Sequence, residues 1–286
     1  MNVPEAVEDK RSLRYFLGLP AWAFPGWKGR YFVDSPSRLA SYGSVFNTVE
    51  GNTTFYSTPS MASIDRWLEA APPGFRFCFK LPRRVTHERR PDYGELGRFL
   101  TAIEPLVPVL GPLMIQLPAT VDALAIERLE PVFDVVARQH RFVIEVRHLE
   151  FFSEPERLEP WLERYDAGRV MLDSRPIYEG NQSHPEVLDA LHEKPDVPVL
   201  ETVYGETPFV RLILHPDIVS NDPYLDAWAD RVAAWIRDGL RPFMMIHCPN
   251  NLHCPPLALD FHERVARRVD AGCLPPWPVP EQRSLL

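Results

Sequence analysis

Bulky apolar residues gather along the chain in short runs, and between the runs apolar positions recur every third or fourth residue. The runs are RYFLGL (14–19), SVFNTVE (44–50), FRFCFK (75–80), PLMIQL (112–117), FVIEV (142–146), RVMLD (169–173), FVRLILH (209–215) and FMMIH (243–247). Runs so short and so continuously apolar are what strands buried on both faces present. Helical periodicity fills most intervals, over 36–42, 61–70, 93–109, 121–139, 155–165, 222–238 and 257–270. SPSRLASY and NDPYLDAW begin with cap-type residues and carry proline near the first turn, where its missing N–H has no partner to lose. The stretch 175–207 is irregular, and only a short helix is expected in it, near 185–192. Strands alternating with helices eight times over about 250 residues predict an α/β chain folded as a (β/α)8 TIM barrel. No linker or shift in composition divides the chain, so residues 1–286 read as a single domain with its barrel core at about 14–270. An open doubly wound sheet is the alternative. The chain has neither a Gly-x-Gly-x-x-Gly nor a glycine–lysine phosphate loop, which removes the nucleotide-binding versions of that sheet.

Polar residues concentrate where the runs end. The second run ends in Glu50 and Asn52, the third in Lys80, and the fourth in Gln116. The fifth ends in Glu145, Arg147 and His148, and the sixth in Asp173 and Arg175. The seventh carries Arg211 and His215; the eighth ends in His247, followed by Asn250 and Asn251. In a barrel this end is the mouth, where binding and catalytic groups collect. Side chains alternate along a strand, so Thr48, Glu50 and Asn52 share a face, as do Met171 and Asp173, and Arg211, Ile213 and His215. The opposite faces are apolar and suit covering helices, so the polar sets are expected to converge on the barrel axis. A single buried acid or arginine is more often a self-satisfied ion pair than a site. Three acids (Glu50, Glu145, Asp173), three bases (Lys80, Arg147, Arg211) and two histidines exceed what packing requires. They read as a charge-balanced pocket, with VEGNTTFY (49–56) as one wall and Phe55 and Tyr56 as its apolar side.

Charge and composition narrow the partners. The 286 residues are 45% hydrophobic and 24% charged with a net charge of −8, so no global field draws the protein to nucleic acid or to an anionic membrane surface. KLPRRVTHERR gathers Lys80, Arg83, Arg84, Arg89 and Arg90, but such a loop is more often solvated and paired to nearby acids, and nucleic acid is disfavoured. The amino-terminal stretch is polar, without the apolar core of a secretory signal, and the longest largely apolar run, LVPVLGPLMIQL, is too short to span a bilayer. Four cysteines lack the density of a disulfide scaffold. A cytoplasmic protein with no membrane partner is expected; the sequence fixes no oligomeric state.

The segments FNTVEGNTTFYSTPS, FRFCFKLPRRVTHE, LGPLMIQLPA, VIEVRHLEFF, VMLDSRP and VRLILHP resemble, in order, the signature segments of the YecE-like family, a domain of unknown function (number 72). The resemblance runs from about residue 15 to 269 and implies a TIM barrel. It carries over to Glu50, Asn52, Phe55, Tyr56, Lys80, Pro82, His87, Gln116, Pro118, Glu145, Arg147, His148, Asp173, Arg211, His215, Asn250 and Asn251. This chain departs from the pattern at LGLPAWAF, where the family more often has a glycine-serine-glycine-tryptophan turn, at Pro216 after His215, and at IHCPNN. The family name brings no reaction with it.

Two chemistries compete for these residues. Glu50, Glu145, Asp173, His215 and His247 are ligand types for zinc, manganese or magnesium, as in metal-using barrels of the endonuclease-four and xylose-isomerase types. Yet Lys80, Arg147 and Arg211 already match the acids charge for charge, and HCPNNLHC (247–254) fits no standard zinc spacing, so no metal and no cofactor are expected. The favoured reading is metal-free acid–base catalysis on a small phosphorylated or carboxylated substrate. Lys80, Arg147 and Arg211 would hold the anion, Glu50 or Glu145 would serve as base, and His87, His215 or His247 as acid. The catalytic set is then Glu50, Glu145, Asp173 and His215; Asn52, Tyr56, Lys80, His87, Gln116, Arg147, Arg211, His247, Asn250 and Asn251 contact substrate. A non-catalytic binding module would use the same pocket.

Overall fold

The computed structural model describes residues 12–277. Its strands are β1 (Phe16–Leu19), β2 (Thr48–Gly51), β3 (Arg76–Phe79), β4 (Leu113–Gln116), β5 (Phe142–Glu145), β6 (Gly168–Asp173), β7 (Phe209–Ile213) and β8 (Phe243–His247). All pair in parallel, in the order β3-β2-β1-β8-β7-β6-β5-β4. The circle closes between β3 and β4 through single bridges, Phe77 to Leu110 and Lys80 to Met114. This closure gives the (β/α)8 barrel and excludes the open sheet. Around it lie α1 (Arg38–Gly43), α2 (Met61–Ala70), α3 (Arg83–Thr86), α4 (Tyr93–Ile103), α5 (Glu130–Ala137) and α6 (Glu150–Ser153). They are followed by α7 (Glu159–Tyr165), α8 (Arg175–Glu179), α9 (Pro185–Glu193), α10 (Asp222–Arg237) and α11 (Cys254–Ala266).

The helices differ from the periodicity at the prolines. The expected helix over 93–109 stops at Ile103, and Glu104–Val109 is a tight 3-10 turn with Pro105 and Pro108 inside it. The expected helix over 121–139 begins only at Glu130, because Pro131 sits in its first turn and cannot donate back to an earlier carbonyl. Conversely, the irregular stretch holds two helices, α8 and α9, each with proline in its first turn. Among the described residues no helix is long and apolar enough to cross a membrane.

Residues paired across parallel strands point to the same side of the sheet, so the register decides what fills the barrel. Phe16, Cys78, Met114, Val143, Val170, Phe209, Phe243 and Met245 form one buried apolar cluster, the floor of the interior. Phe243 stacks on Phe16 at 4.2 Å and on Phe209 at 5.6 Å between ring centroids. Gly18 is required here: a Cβ would lie 2.4 Å from the Thr48 carbonyl oxygen. The alternate residues, among them Val49, Phe79, Ile115, Ile144, Leu212 and Ile246, belong to the larger core between sheet and helices. Each such fully buried aliphatic or aromatic side chain contributes about 1.5–3 kcal/mol relative to exposure.

One side of the mouth is roofed. Leu172 of β6 and Ile213 of β7 pack with Ile177 of α8 and with Val187 and Ala190 of α9. Leu172 pairs with Arg211, and Ile213 with His247, so both face the interior and α9 lies over it.

Candidate functional site

Above the apolar floor the barrel interior turns ionic. Arg211 of β7 is the centre: its Nε and Nη2 donate to Glu50 Oε2 and Oε1 at 2.7 and 3.0 Å, and its Nη1 donates to Glu145 Oε2 at 2.6 Å. Lys80 Nζ lies 3.2 Å from Glu50 Oε1, and His247 Nε2 lies 3.0 Å from Glu50 Oε2. Arg147 Nε donates to Glu145 Oε1 at 2.9 Å. Both carboxylates are fully buried. Each oxygen of Glu50 therefore takes two donors, leaving no lone pair for a metal or a substrate proton. Glu145 takes one donor on each oxygen. Beside it in register stands Gln116, 7% exposed, whose amide has no partner among the described residues. The amide is not sealed from solvent, so it stays open to a ligand.

Several expected members of the pocket hold the rim together. Asn52 Nδ2 donates to the Pro20 carbonyl at 2.8 Å, tying the end of β2 to the end of β1. Thr54 Oγ1 donates to the Lys80 carbonyl at 2.8 Å, which accounts for a hydroxyl inside VEGNTTFY. Asn250 Nδ2 donates to Glu186 Oε1 on α9 at 2.7 Å, and the Asn251 carbonyl accepts from Trp27 Nε1 at 2.7 Å. Tyr56 stands 81% exposed, its ring edge-on to Phe55, which in turn meets the half-buried His87 ring at 4.9 Å.

Two expectations need correction. Asp173 pairs in register with Leu212, so it faces outward, where its carboxylate accepts from Trp228 Nε1 of α10 at 2.8 Å and is held by Arg175 Nε and Nη2. Alternation says which residues share a face; it does not say which face is inside. In β6, Met171 and Leu172 are equally apolar, so nothing local breaks the tie. His215 lies beyond the end of β7, where alternation no longer applies. Its Nδ1 accepts the Asp217 N–H at 2.9 Å, which fixes the proton on Nε2, and Nε2 donates to the Asn181 carbonyl at 3.2 Å. His215 thus ties the linker between α8 and α9 to the barrel.

Residues 16–282 match the family described as protein of unknown function DUF72. UPF0759 protein YecE of Escherichia coli (strain K12) is 32% identical over 276 residues, covering 94% of this chain and 99% of its own length. The chain belongs to the DUF72 family. Crystal structures of DUF72 family proteins from Enterococcus faecalis V583 and Thermotoga maritima MSB8 superpose with TM-scores of 0.68 and 0.66, at 16% and 20% identity. Each alignment covers 88% of this chain, and 95% and 99% of those chains. At that identity the likeness is one of fold.

In this DUF72 barrel, burial works against every mouth charge and the neighbours decide the outcome. Burial alone would raise the Glu50 carboxyl, but Arg211, Lys80 and His247 outweigh it and hold it well below the usual range. Glu145 behaves alike: against burial, Arg211, Arg147 and Lys80 bring it down to about 2. Lys80 is pushed down to about 8 by burial and then by Arg211, with Glu50 and Glu145 opposing. Burial takes His247 down to about 4, Arg211 adding to it against Glu50; burial and then Arg147 take His87 to about 4. One cation escapes the strand-end pattern altogether. Lys194, just after α9, is half-buried, and the charges acting on its ammonium include Arg211, Glu50 and Arg147. Burial, then Arg211, lowers its pKa. With Asp173 outside, three paired cations, Lys80, Arg147 and Arg211, face two carboxylates, and Lys194 adds a fourth cation to their field. The pocket is not charge-balanced. No sequence signal marks Lys194, because it comes from a segment without periodicity.

Proposed function

We propose that the barrel mouth is the active site of a metal-independent acid–base enzyme acting on a small anionic substrate, phosphorylated or carboxylated. The observation that carries this reading is Lys80: a buried amine with a single carboxylate neighbour within 4 Å among the described residues, brought down to about 8 by burial first and by Arg211 second. An amine in that state exchanges a proton readily near neutral pH, as general acid–base catalysis requires. Glu50 and Glu145 take a different role from the base first expected of them. Permanently ionised and cation-capped, they fix Arg211, Lys80 and Arg147 in place. Arg147 spends only its Nε on Glu145, so its two terminal nitrogens are open to a substrate oxygen, and the free Gln116 amide stands alongside. His87, unprotonated at neutral pH, offers a hydrogen bond from the rim.

Metal-dependent hydrolysis finds less support in the donor set: Glu50 is saturated, and among the described residues no three His, Cys, Asp or Glu side chains group as ligands. A cytoplasmic setting fits four cysteines without disulfide partners. Turnover is tested on a panel of phosphorylated and carboxylated small molecules, with wild type and Lys80→Met side by side. The variant is expected to lose about 10²–10⁴-fold in rate while still binding anions. Unchanged turnover in Lys80→Met sinks the acid–base role. Ligand-induced stabilisation without turnover by wild type makes the protein a binding module, and activity lost to a chelator and restored by a divalent cation restores the metal reading.

A further inference from the structure

The segment 175–197 does more than roof the mouth. Its backbone is pinned on both sides of Lys194: Tyr178 Oη donates to the carbonyls of Leu191 and Lys194 at 3.1 and 2.6 Å, and Ser174 Oγ donates to the Pro195 carbonyl at 2.7 Å. α9 is clamped from across the mouth as well, because its Glu186 accepts from Asn250 Nδ2 at 2.7 Å and lies 3.1 Å from His253 Nε2. Both partners follow β8. The apolar face of α9 is seated on Leu172 and Ile213, the two interior positions beside Arg211 and His247. These anchors fix the backbone of a half-buried lysine whose ammonium lies in the field of Arg211, Glu50 and Arg147 of the ionic layer. No carboxylate lies within ion-pair distance of its ammonium among the described residues. A packed, fastened segment that delivers an unpaired cation toward other cations raises the energy of the empty site, and a ligand with enough negative charge recovers that energy.

We infer that Lys194, together with Arg147, selects a dianionic head group over a monoanionic one, so that the substrate class is the phosphate monoester or the dicarboxylate. This rests on the reading that the mouth binds an anion, and it adds the charge that the anion must carry. Arg147 presents its two terminal nitrogens to one oxygen pair. Lys194 meets a second formal charge from the roof, and the Gln116 amide donates from beside Glu145. A monoanion satisfies Arg147 and leaves Lys194 unmatched.

Calorimetric binding of inorganic sulfate, inorganic phosphate, malonate and acetate to wild type, Lys194→Gln, Lys194→Arg and Arg147→Gln tests this. Wild type is expected to bind at least one dianion about tenfold or more tightly than acetate, the loss expected from one charge-assisted hydrogen bond. Lys194→Gln collapses that ratio with acetate binding little changed, Lys194→Arg restores it, and Arg147→Gln weakens every anion. Preference for sulfate and phosphate over malonate points to a phosphoryl group, and the reverse to a dicarboxylate; either supports the inference. Should Lys194→Gln melt far below wild type, Lys194→Met keeps the packed stem and supplies the uncharged comparison. Equal affinity of wild type for acetate and all three dianions, or an unchanged ratio in the uncharged variants, overturns the role of Lys194 while the anion site stands through Arg147. Absence of binding to any of the four overturns both readings.

Discussion

Glu50 and Glu145 look interchangeable in composition and differ in what they have left to give. Glu50 is filled by Arg211, Lys80 and His247, whereas Glu145 keeps a lone pair on each oxygen. Removing the charge of Glu145 leaves Arg211 and Arg147 partly unmatched in a buried setting. Glu145→Gln is therefore expected to lose about 3–5 kcal/mol of stability when no anion is present. The variant mouth is more positive, so sulfate should raise its melting temperature by more than it raises that of wild type. Thermal melts of both proteins with and without sulfate check this. A variant as stable as wild type, or one that responds to sulfate no more strongly, counts against a mouth whose charges are set for an anion.

Among the elements, β6 separates structure from site within two residues. Leu172 faces in and receives the α9 roof, while Asp173 faces out and fastens α10 through Trp228. Asp173→Ala leaves the buried indole N–H and the Arg175 guanidinium without their acceptor, which is expected to cost about 1–3 kcal/mol. Because the carboxylate points away from the mouth, anion affinity should stay within about twofold of wild type, since sites with no shared partners behave nearly additively. Urea unfolding and sulfate titration of the same variant decide it: intact stability with lost binding would return Asp173 to the site. The α8–α9 segment shows the opposite case, an element whose apolar contacts are modest and whose polar anchors, Tyr178, Ser174, His215 and Glu186, set its position.

For the molecule as a whole, the mouth makes stability depend on pH in one direction. Glu145 drops from 4.5 to about 2 in the fold and Glu50 falls well below its ordinary value, so their contribution is present above 4.5 and lost as pH falls. His247 drops from 6.5 to about 4, so the unfolded chain takes up a proton first and stability falls as pH is lowered through that window. Lys80 drops from 10.5 to about 8; between those values the unfolded chain still holds the proton, and stability rises with pH. Each group thus favours the fold as pH increases. Denaturant unfolding at a series of pH values is expected to show steep loss below about pH 6; between about 8 and 10 wild type is expected to gain stability relative to Lys80→Met, a comparison that cancels the buried thiols of Cys78, Cys248 and Cys254, whose raised pKa values act the other way. A difference between wild type and Lys80→Met that stays flat or falls over 8–10 would show that Lys80 is solvated, and the acid–base assignment would go with it.

The fold was legible because burial on two faces leaves its mark on each strand separately: FVIEV and FMMIH are readable without knowing their neighbours. Glu50, Lys80, Gln116, Glu145 and His247 were legible for the same reason, as polar residues ending apolar runs, and Arg211 as the charge inside one. The prolines fixed helix starts, and at Pro131 and Pro108 they also cut short helices that the apolar period extends. Three things only the tertiary structure decided. Which face of β6 is the interior depends on its register with β7, a contact across 38 residues that alternation within one strand cannot encode. Whether His215 reaches the axis depends on where β7 stops, which pairing with β8 sets. And the field at the mouth includes Lys194, because α9, just before it, folds back over β6 and β7 and is clamped to the loop after β8. A strand-end pattern is local and survives in the sequence. The sign and size of a field are sums over whatever the fold brings near, and that sum exists only once the chain has closed.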